Sequence, residues 1–109
     1  MSTAELAVAL PAVVLVLALC LTTMTLAVDQ VRVEDAARAA ARAASSGEAP
    51  TTVAQIVEEL TPAGSSLTLT EDEMEVGVTV EAPARVSWLG FLPAARARAV
   101  ARWEPGARP

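Results

Sequence analysis

The sequence predicts an α+β protein in which a long N-terminal helix precedes a small domain of one short helix and a three-stranded antiparallel sheet. Three observations lead to this prediction. An uncharged apolar run opens the chain, an alanine-rich helical pattern follows it, and apolar residues alternate with a period of two from residue 67 onward. A chain of 109 residues has room for one membrane span and one extramembrane domain of about 80 residues.

The first element is a membrane-spanning helix over residues 1–28. The 23 residues from Leu6 to Val28 are uncharged, and as a helix they reach about 34 Å, against a hydrocarbon core of about 30 Å. Pro11 removes one helical hydrogen bond, which a spanning helix tolerates. Glu5 stands directly before the run, where solvent, lipid headgroups or a partner cation must hold its carboxylate.

The main alternative to a retained helix is a secretory signal peptide cleaved after Ala27. Thr25 and Ala27 supply the small residues that a signal peptidase site requires. The acidic Glu5, the lack of basic residues ahead of the apolar run and the length of that run all favour retention. A lipoprotein signal around Cys20 is disfavoured, because Leu19 is too large just before the cysteine.

The helix is expected to continue beyond the membrane over residues 29–46. This stretch has no Gly or Pro, and Glu34 precedes Arg38 by four residues, the favourable orientation for an ion pair on a helix. Gly47 and Pro50 predict that the helix ends near Ser45 or Ser46. Seven alanines in this stretch suit close packing against another layer, although helix propensity alone also explains them: residues 36, 37, 39, 40, 41, 43 and 44.

Residues 51–109 are predicted to form the domain. A short helix is expected over 52–60, with Thr52 and Gln55 as its capping box and one apolar face made of Val53, Ile56, Val57 and Leu60. The alternating pattern then predicts antiparallel strands near 67–70, 75–82 and 94–103.

The last two predicted strands differ in charge. Pairing them sets acidic residues of the second strand across from basic residues of the third: Glu75 and Glu81 across from Arg96, Arg98 and Arg102. The connection between these strands contains four large apolar side chains, Trp88, Leu89, Phe91 and Leu92. They either fill the end of a small core or form an exposed contact patch for a partner.

Composition argues against catalysis, metal binding and nucleic-acid binding. The chain has no His, and its one cysteine, Cys20, lies in the apolar run. The acidic run from Glu71 to Glu73 lacks the alternating ligands and the turn glycine of a calcium loop. A net charge of −5 offers no basic surface for nucleic acid. We therefore expect no catalytic residue, no cofactor and no metal site.

The N-terminal sequence from Thr3 to Pro11, TAELAVALP, followed by an aliphatic run, resembles the TadE-like family. These proteins are minor pilins or pseudopilins of the tight-adherence branch of type IV pilus systems. The resemblance is most specific over residues 1–45 and architectural beyond them. It implies that Glu5 is the glutamate at the fifth mature position and that Met1 is the processed N-terminus. A prepilin peptidase would then cut after the glycine of a leader that precedes Met1.

The same resemblance implies a pilin-like subunit of the cytoplasmic membrane or of a cell-surface pilus, working in adhesion and pilus biogenesis. Its partners would be other pilin or pilus-assembly subunits, and Glu5 would neutralise a neighbour's N-terminal amine. The N-terminus would lie in the cytoplasm and the domain outside. The positive-inside rule gives the opposite orientation, because Arg32, Arg38 and Arg42 all follow the span.

A function of another class stays open beside assembly. The chain would then be a small secreted or membrane-tethered binding domain that recognises an extracellular ligand or a host surface through residues 88–92. Cleavage after Ala27 would favour this alternative.

Overall fold

One helix of 43 residues carries the whole domain on its C-terminal half. In the computed structural model, which describes residues 2–84 and 94–107, α1 spans Thr3–Ser45 and α2 spans Pro50–Leu60. The strands β1, β2 and β3 follow at Ser66–Glu71, Glu75–Glu81 and Arg96–Arg102. The predicted α+β fold class is confirmed, with a long helix, a short helix and a three-stranded antiparallel sheet.

The end of α1 lies where the sequence predicts it, and a Schellman motif terminates the helix. Gly47 takes a left-handed conformation with φ of +86°. This turn lets the Gly47 N–H donate to the Ala44 carbonyl at 3.1 Å and the Glu48 N–H donate to the Ala43 carbonyl at 3.2 Å. A helix of this length is about 65 Å long, and the chain measures 74 Å along its longest axis.

The start of α2 differs from the prediction. The helix begins at Pro50 rather than at residue 52, its N-cap is Ala49, and no side-chain capping hydrogen bond forms, so the predicted capping box of Thr52 and Gln55 is wrong. Proline is favoured in the first turn because its fixed φ suits a helix and its missing N–H costs nothing there. Of the predicted apolar face, Val53 and Val57 are buried and Leu60 is exposed.

The sheet is a meander with the strand order β1-β2-β3. Leu69 pairs with Val78 of β2, and Val78 pairs in turn with Ala99 of β3. The valines of β2 face α1 and are almost fully buried, at 1% exposure or less: Val76, Val78 and Val80. The residues between them lie on the outer face, as the period of two requires.

A core of small side chains joins α1 to the sheet and to α2. Val33, Val53 and Val57 are buried in this core together with five alanines of α1, Ala36, Ala37, Ala40, Ala41 and Ala44. The prediction that the alanines pack closely against another layer is confirmed for this face of the helix. With no side chain beyond Cβ, they let the β2 backbone approach the helix axis closely.

Two long-range contacts set the direction of β3 relative to α1. The Gln30 side chain pairs with the backbone of Arg96, and the Glu104 N–H donates to the Ser45 carbonyl at 2.9 Å. Residue 30 thus lies beside the start of β3, and residue 45 lies beside its end. Because β3 runs in the same direction as α1 and pairs antiparallel with β2, β2 ends and β3 begins at the end of the domain nearer the apolar half of α1.

Candidate functional site

Glu5, the predicted assembly residue, lies in the first turn of α1 as part of a capping box. The Ser2 hydroxyl oxygen accepts from the Glu5 N–H at 3.3 Å, and the Glu5 carboxylate accepts from the Ser2 N–H at 3.4 Å. The spacing Ser-x-x-Glu is a known sequence signal for this motif, so it was available at Ser2 and was missed. Glu5 therefore has a structural role within its own chain.

Within the described residues, the capping box gives the Glu5 carboxylate a neutral hydrogen-bond donor and no counter-charge. Among the charged groups that the structure describes, none forms an ion pair with this carboxylate within 4.0 Å. Both Ser2 and Glu5 are exposed. Met1, the predicted processed N-terminus, lies outside the described residues, and so do all four residues of the predicted contact patch, Trp88, Leu89, Phe91 and Leu92.

The apolar half of α1 projects from the domain with its side chains exposed, and it is the one helix of the described residues long and apolar enough to cross a membrane. Its threonine hydroxyls are satisfied within the helix. The hydroxyls of Thr22, Thr23 and Thr25 donate to carbonyls four residues earlier, at 2.8, 2.9 and 3.0 Å. Such back-bonding removes the free donors that a hydrocarbon environment would penalise.

A narrow stripe of small residues lies along this apolar half. The members recur at helical spacing and continue in line with Asp29 and Val33, which are buried by the domain: Ala4, Pro11, Ala18, Thr22 and Thr25. Small side chains in a spanning helix let a second helix approach closely. The helix surface is therefore suited to contact with other helices as well as with lipid.

The outer face of the sheet pairs the predicted residues without bringing their charges together. The register sets Glu75 opposite Arg102 and Glu81 opposite Arg96, as predicted. Neither pair comes within the 4.0 Å of an ion pair, and the described residues show such a contact between Arg38 and Asp35 instead. The predicted placement of acidic residues across from basic ones is thus confirmed, and no ion pair within 4.0 Å forms between these described residues.

Arg98 lies flat on the outer face instead of meeting a carboxylate. Its guanidinium donates to the hydroxyls of Thr79 at 3.4 Å and Thr70 at 3.5 Å, and it lies above Gly77. A Cβ at Gly77 would lie 2.7 Å from Arg98 Nη2. The missing side chain of Gly77 therefore makes the space that Arg98 fills.

The acidic turn between β1 and β2 is a solvent-exposed hairpin connection. Asp72 accepts a hydrogen bond from the Glu73 N–H at 2.7 Å, and its backbone N–H donates to the Glu75 carbonyl at 2.9 Å. In the part of the chain that the structure describes, no three acidic or sulfur side chains group in a way that could hold a metal ion.

Comparison of the chain with protein-family models, with curated proteins and with solved structures finds no match. The resemblance of residues 1–45 to TadE-like proteins therefore stays a prediction.

Proposed function

We propose that this chain is a membrane-anchored assembly subunit, of the minor-pilin type, that acts by packing its N-terminal helix against those of other subunits. The observation that supports this proposal most is the uninterrupted α1. One face of its C-terminal half is buried by the domain, and its apolar N-terminal half projects with exposed side chains and a charged residue, Glu5, in its first turn. Such a surface requires lipid or other helices around it.

Glu5 gives this helix a means of choosing partners. A carboxylate in lipid-shielded surroundings is costly without a counter-charge, and the capping box neutralises none of its charge. In an assembly of parallel helices the N-terminal amine of a neighbour would supply the missing cation. Breaking such a buried pair typically costs about 3–5 kcal/mol, which is more than a hundredfold in an association constant.

The test separates the charge of Glu5 from its capping role. Glu5→Gln keeps a side chain that completes a capping box and removes the charge. Ser2→Ala removes the hydroxyl that accepts from the Glu5 N–H and keeps the charge. We expect Glu5→Gln to reach the membrane at its normal level and to lose co-purification with the other pilus-assembly subunits, while Ser2→Ala retains both.

Three outcomes would contradict this role. Normal co-purification of Glu5→Gln would show that the charge is not needed between subunits. Equal loss in Ser2→Ala and Glu5→Gln would assign the effect to helix capping. Disappearance of Glu5→Gln from the membrane fraction would assign Glu5 to targeting or stability.

Retention of the helix distinguishes this proposal from a released binding domain. The α-helix continues through Ala27 without a break, and the burial of Asp29 and Val33 begins directly beyond it. We expect the intact mass of the protein extracted from membranes to include residues 1–28. A mass that matches a chain beginning at Val28 would show cleavage after Ala27. That result would support the released binding domain.

A further inference from the structure

A small cavity opens at the end of the domain farthest from the apolar half of α1. It has a volume of about 230 Å³ and lies where α1 ends, α2 begins and β1 ends. Its floor is apolar, with accessible surface from Pro50, Leu69 and Ala107 above the buried side chains of Ala44, Val53 and Val76. Pockets for drug-sized ligands start near 300 Å³, so this cavity suits a group of the size of one long side chain.

Trp103 forms one wall of the cavity and has no free hydrogen-bond donor to offer there. Its indole N–H donates to the Asp72 carbonyl at 2.8 Å, and its backbone N–H donates to the Met74 carbonyl at 3.3 Å. These bonds also restrict how the ring can turn. What the ring presents to a ligand is its hydrocarbon and π surface, and the π face of tryptophan attracts cations.

Two acidic residues, Glu48 and Glu71, are among the lining residues. Neither forms an ion pair within 4.0 Å with a described arginine. Glu104 and the acidic turn after β1 lie at the same end of the domain, so the surroundings of the cavity are acidic. An aromatic wall with negative charges above an apolar floor favours a cation that carries a hydrocarbon stem.

The start of α2 does not make this an anion site. A helix N-terminus favours anions through its free N–H groups. Here Pro50 has no N–H, and the N–H groups of Thr52 and Val53 both donate to the Ala49 carbonyl, at 2.9 and 3.1 Å. Most of the donors that an anion would need are therefore absent or already engaged.

We propose that this cavity binds the side chain of an arginine or a lysine presented by a protein partner. The stem of that side chain packs on Pro50, Leu69 and Ala107, its charged head lies against Trp103, and Glu48 and Glu71 balance its charge. The proposal does not depend on how the membrane helix assembles.

A titration of the full chain in detergent micelles tests the proposal. Nitrogen-15 labelling of tryptophan gives the two indole N–H signals of the chain, and Trp88→Phe assigns the signal of Trp103. The probe is Nα-acetyl-argininamide, and its neutral counterpart is Nα-acetyl-citrullinamide, which has nearly the same shape without the charge. We expect a saturable shift of the Trp103 signal with the arginine probe, with a Kd of the order of 1 mM, and none with the citrulline probe.

Variants and a shorter probe locate the effect in the cavity. Glu48→Gln and Glu71→Gln should each weaken binding by about two- to fivefold, as expected for exposed charge pairs. Glu59→Gln removes an equally exposed carboxylate outside the cavity and should change nothing. Methylguanidinium, which lacks the stem, should bind more weakly than the arginine probe.

The proposal is overturned if the Trp103 signal does not shift saturably or if the citrulline probe shifts it equally. Equal weakening by all three glutamate variants would indicate attraction by net charge alone. Equal binding of methylguanidinium would remove the role of the apolar floor.

Discussion

At the scale of single residues, alanine determines how closely α1 approaches the sheet. Ala36 and Ala40 have no exposed surface, and they face the valines of β2. A larger side chain at either position would have to push the helix and the sheet apart, because side chains of the core are already in contact. The alanine content of this helix is thus a packing requirement on one face of it.

Ala40→Leu should therefore destabilise the domain. Overpacking a filled core typically costs about 1–3 kcal/mol, although leucine is itself a good helix former. The matched control is Ala54→Leu, because Ala54 is an exposed alanine on α2. Urea unfolding followed by near-ultraviolet circular dichroism of the tryptophans measures both. For the control, we expect the free energy of unfolding to change by no more than about 0.5 kcal/mol. An equally small change for Ala40→Leu would contradict this account of the packing.

At the scale of secondary-structure elements, Gln30 joins α1 to the edge of the sheet. Its amide nitrogen donates to the Arg96 carbonyl at 2.9 Å, and its amide oxygen accepts from the Arg96 N–H at 3.2 Å. The same nitrogen donates to the Glu34 carboxylate at 3.1 Å, which orients the amide. The N–H and carbonyl of Arg96 point away from the sheet because β3 is an edge strand. Gln30 thus gives both backbone groups a hydrogen-bond partner.

Gln30→Ala should loosen the start of β3. Two hydrogen bonds of this kind are worth about 1–3 kcal/mol together, and their loss exposes the Arg96 backbone to water. Amide hydrogen exchange measures the effect, with faster exchange expected at Arg96 and little change at Val78 in the sheet centre. Gln55→Ala, a change at an exposed glutamine of α2, is the control. Unchanged exchange at Arg96 would mean that the strand edge is protected without Gln30.

At the scale of the whole molecule, the chain is a rod of 74 × 22 × 18 Å with its domain at one end. If the apolar half of α1 spans the membrane, the acidic turn and the cavity lie on the side of the domain away from the lipid. The segment between β2 and β3 then begins and ends near the lipid surface, because residue 30 lies beside Arg96. Orientation therefore decides which compartment each surface meets.

Thiol labelling in intact cells tests the orientation that the proposed function requires. In a Cys20→Ser background, Glu73→Cys places a single thiol in the exposed turn that lies farthest from the apolar half of the helix. We expect a membrane-impermeant maleimide to label it without lysis, because the domain would lie outside the cytoplasm. The unmodified chain, with Cys20 inside the apolar run, should stay unlabelled. Labelling of the Glu73→Cys thiol only after lysis would place the domain in the cytoplasm and contradict the pilin proposal.

Much of this fold is predictable from local patterns. The uncharged run, the helix end at Gly47 and the alternating valines of β2 are each readable within a window of a few residues, because helix and strand periods are local properties. The placement of the acidic residues of β2 across from the basic residues of β3 also follows from the pattern once the two strands pair, whereas the exact register, with Glu75 opposite Arg102, does not. The N-terminal capping box at Ser2 was equally local and was overlooked.

The features that the sequence does not reveal depend on residues far apart in the chain. Gln30 and Arg96 are 66 residues apart, and the cavity is lined by residues between Ala44 and Ala107. The local capping signal at α2 was also misleading. Thr52 was predicted to cap the helix, but the helix begins at Pro50, because proline is favoured in the first turn. On the outer face, the charge pattern predicts acidic residues across from basic ones, but it does not reveal that the space above Gly77 lets Arg98 bind two threonine hydroxyls. Which side chains contact one another depends on the space that remains when the helix and the sheet pack together. Sequence periodicity describes single elements and does not describe that space.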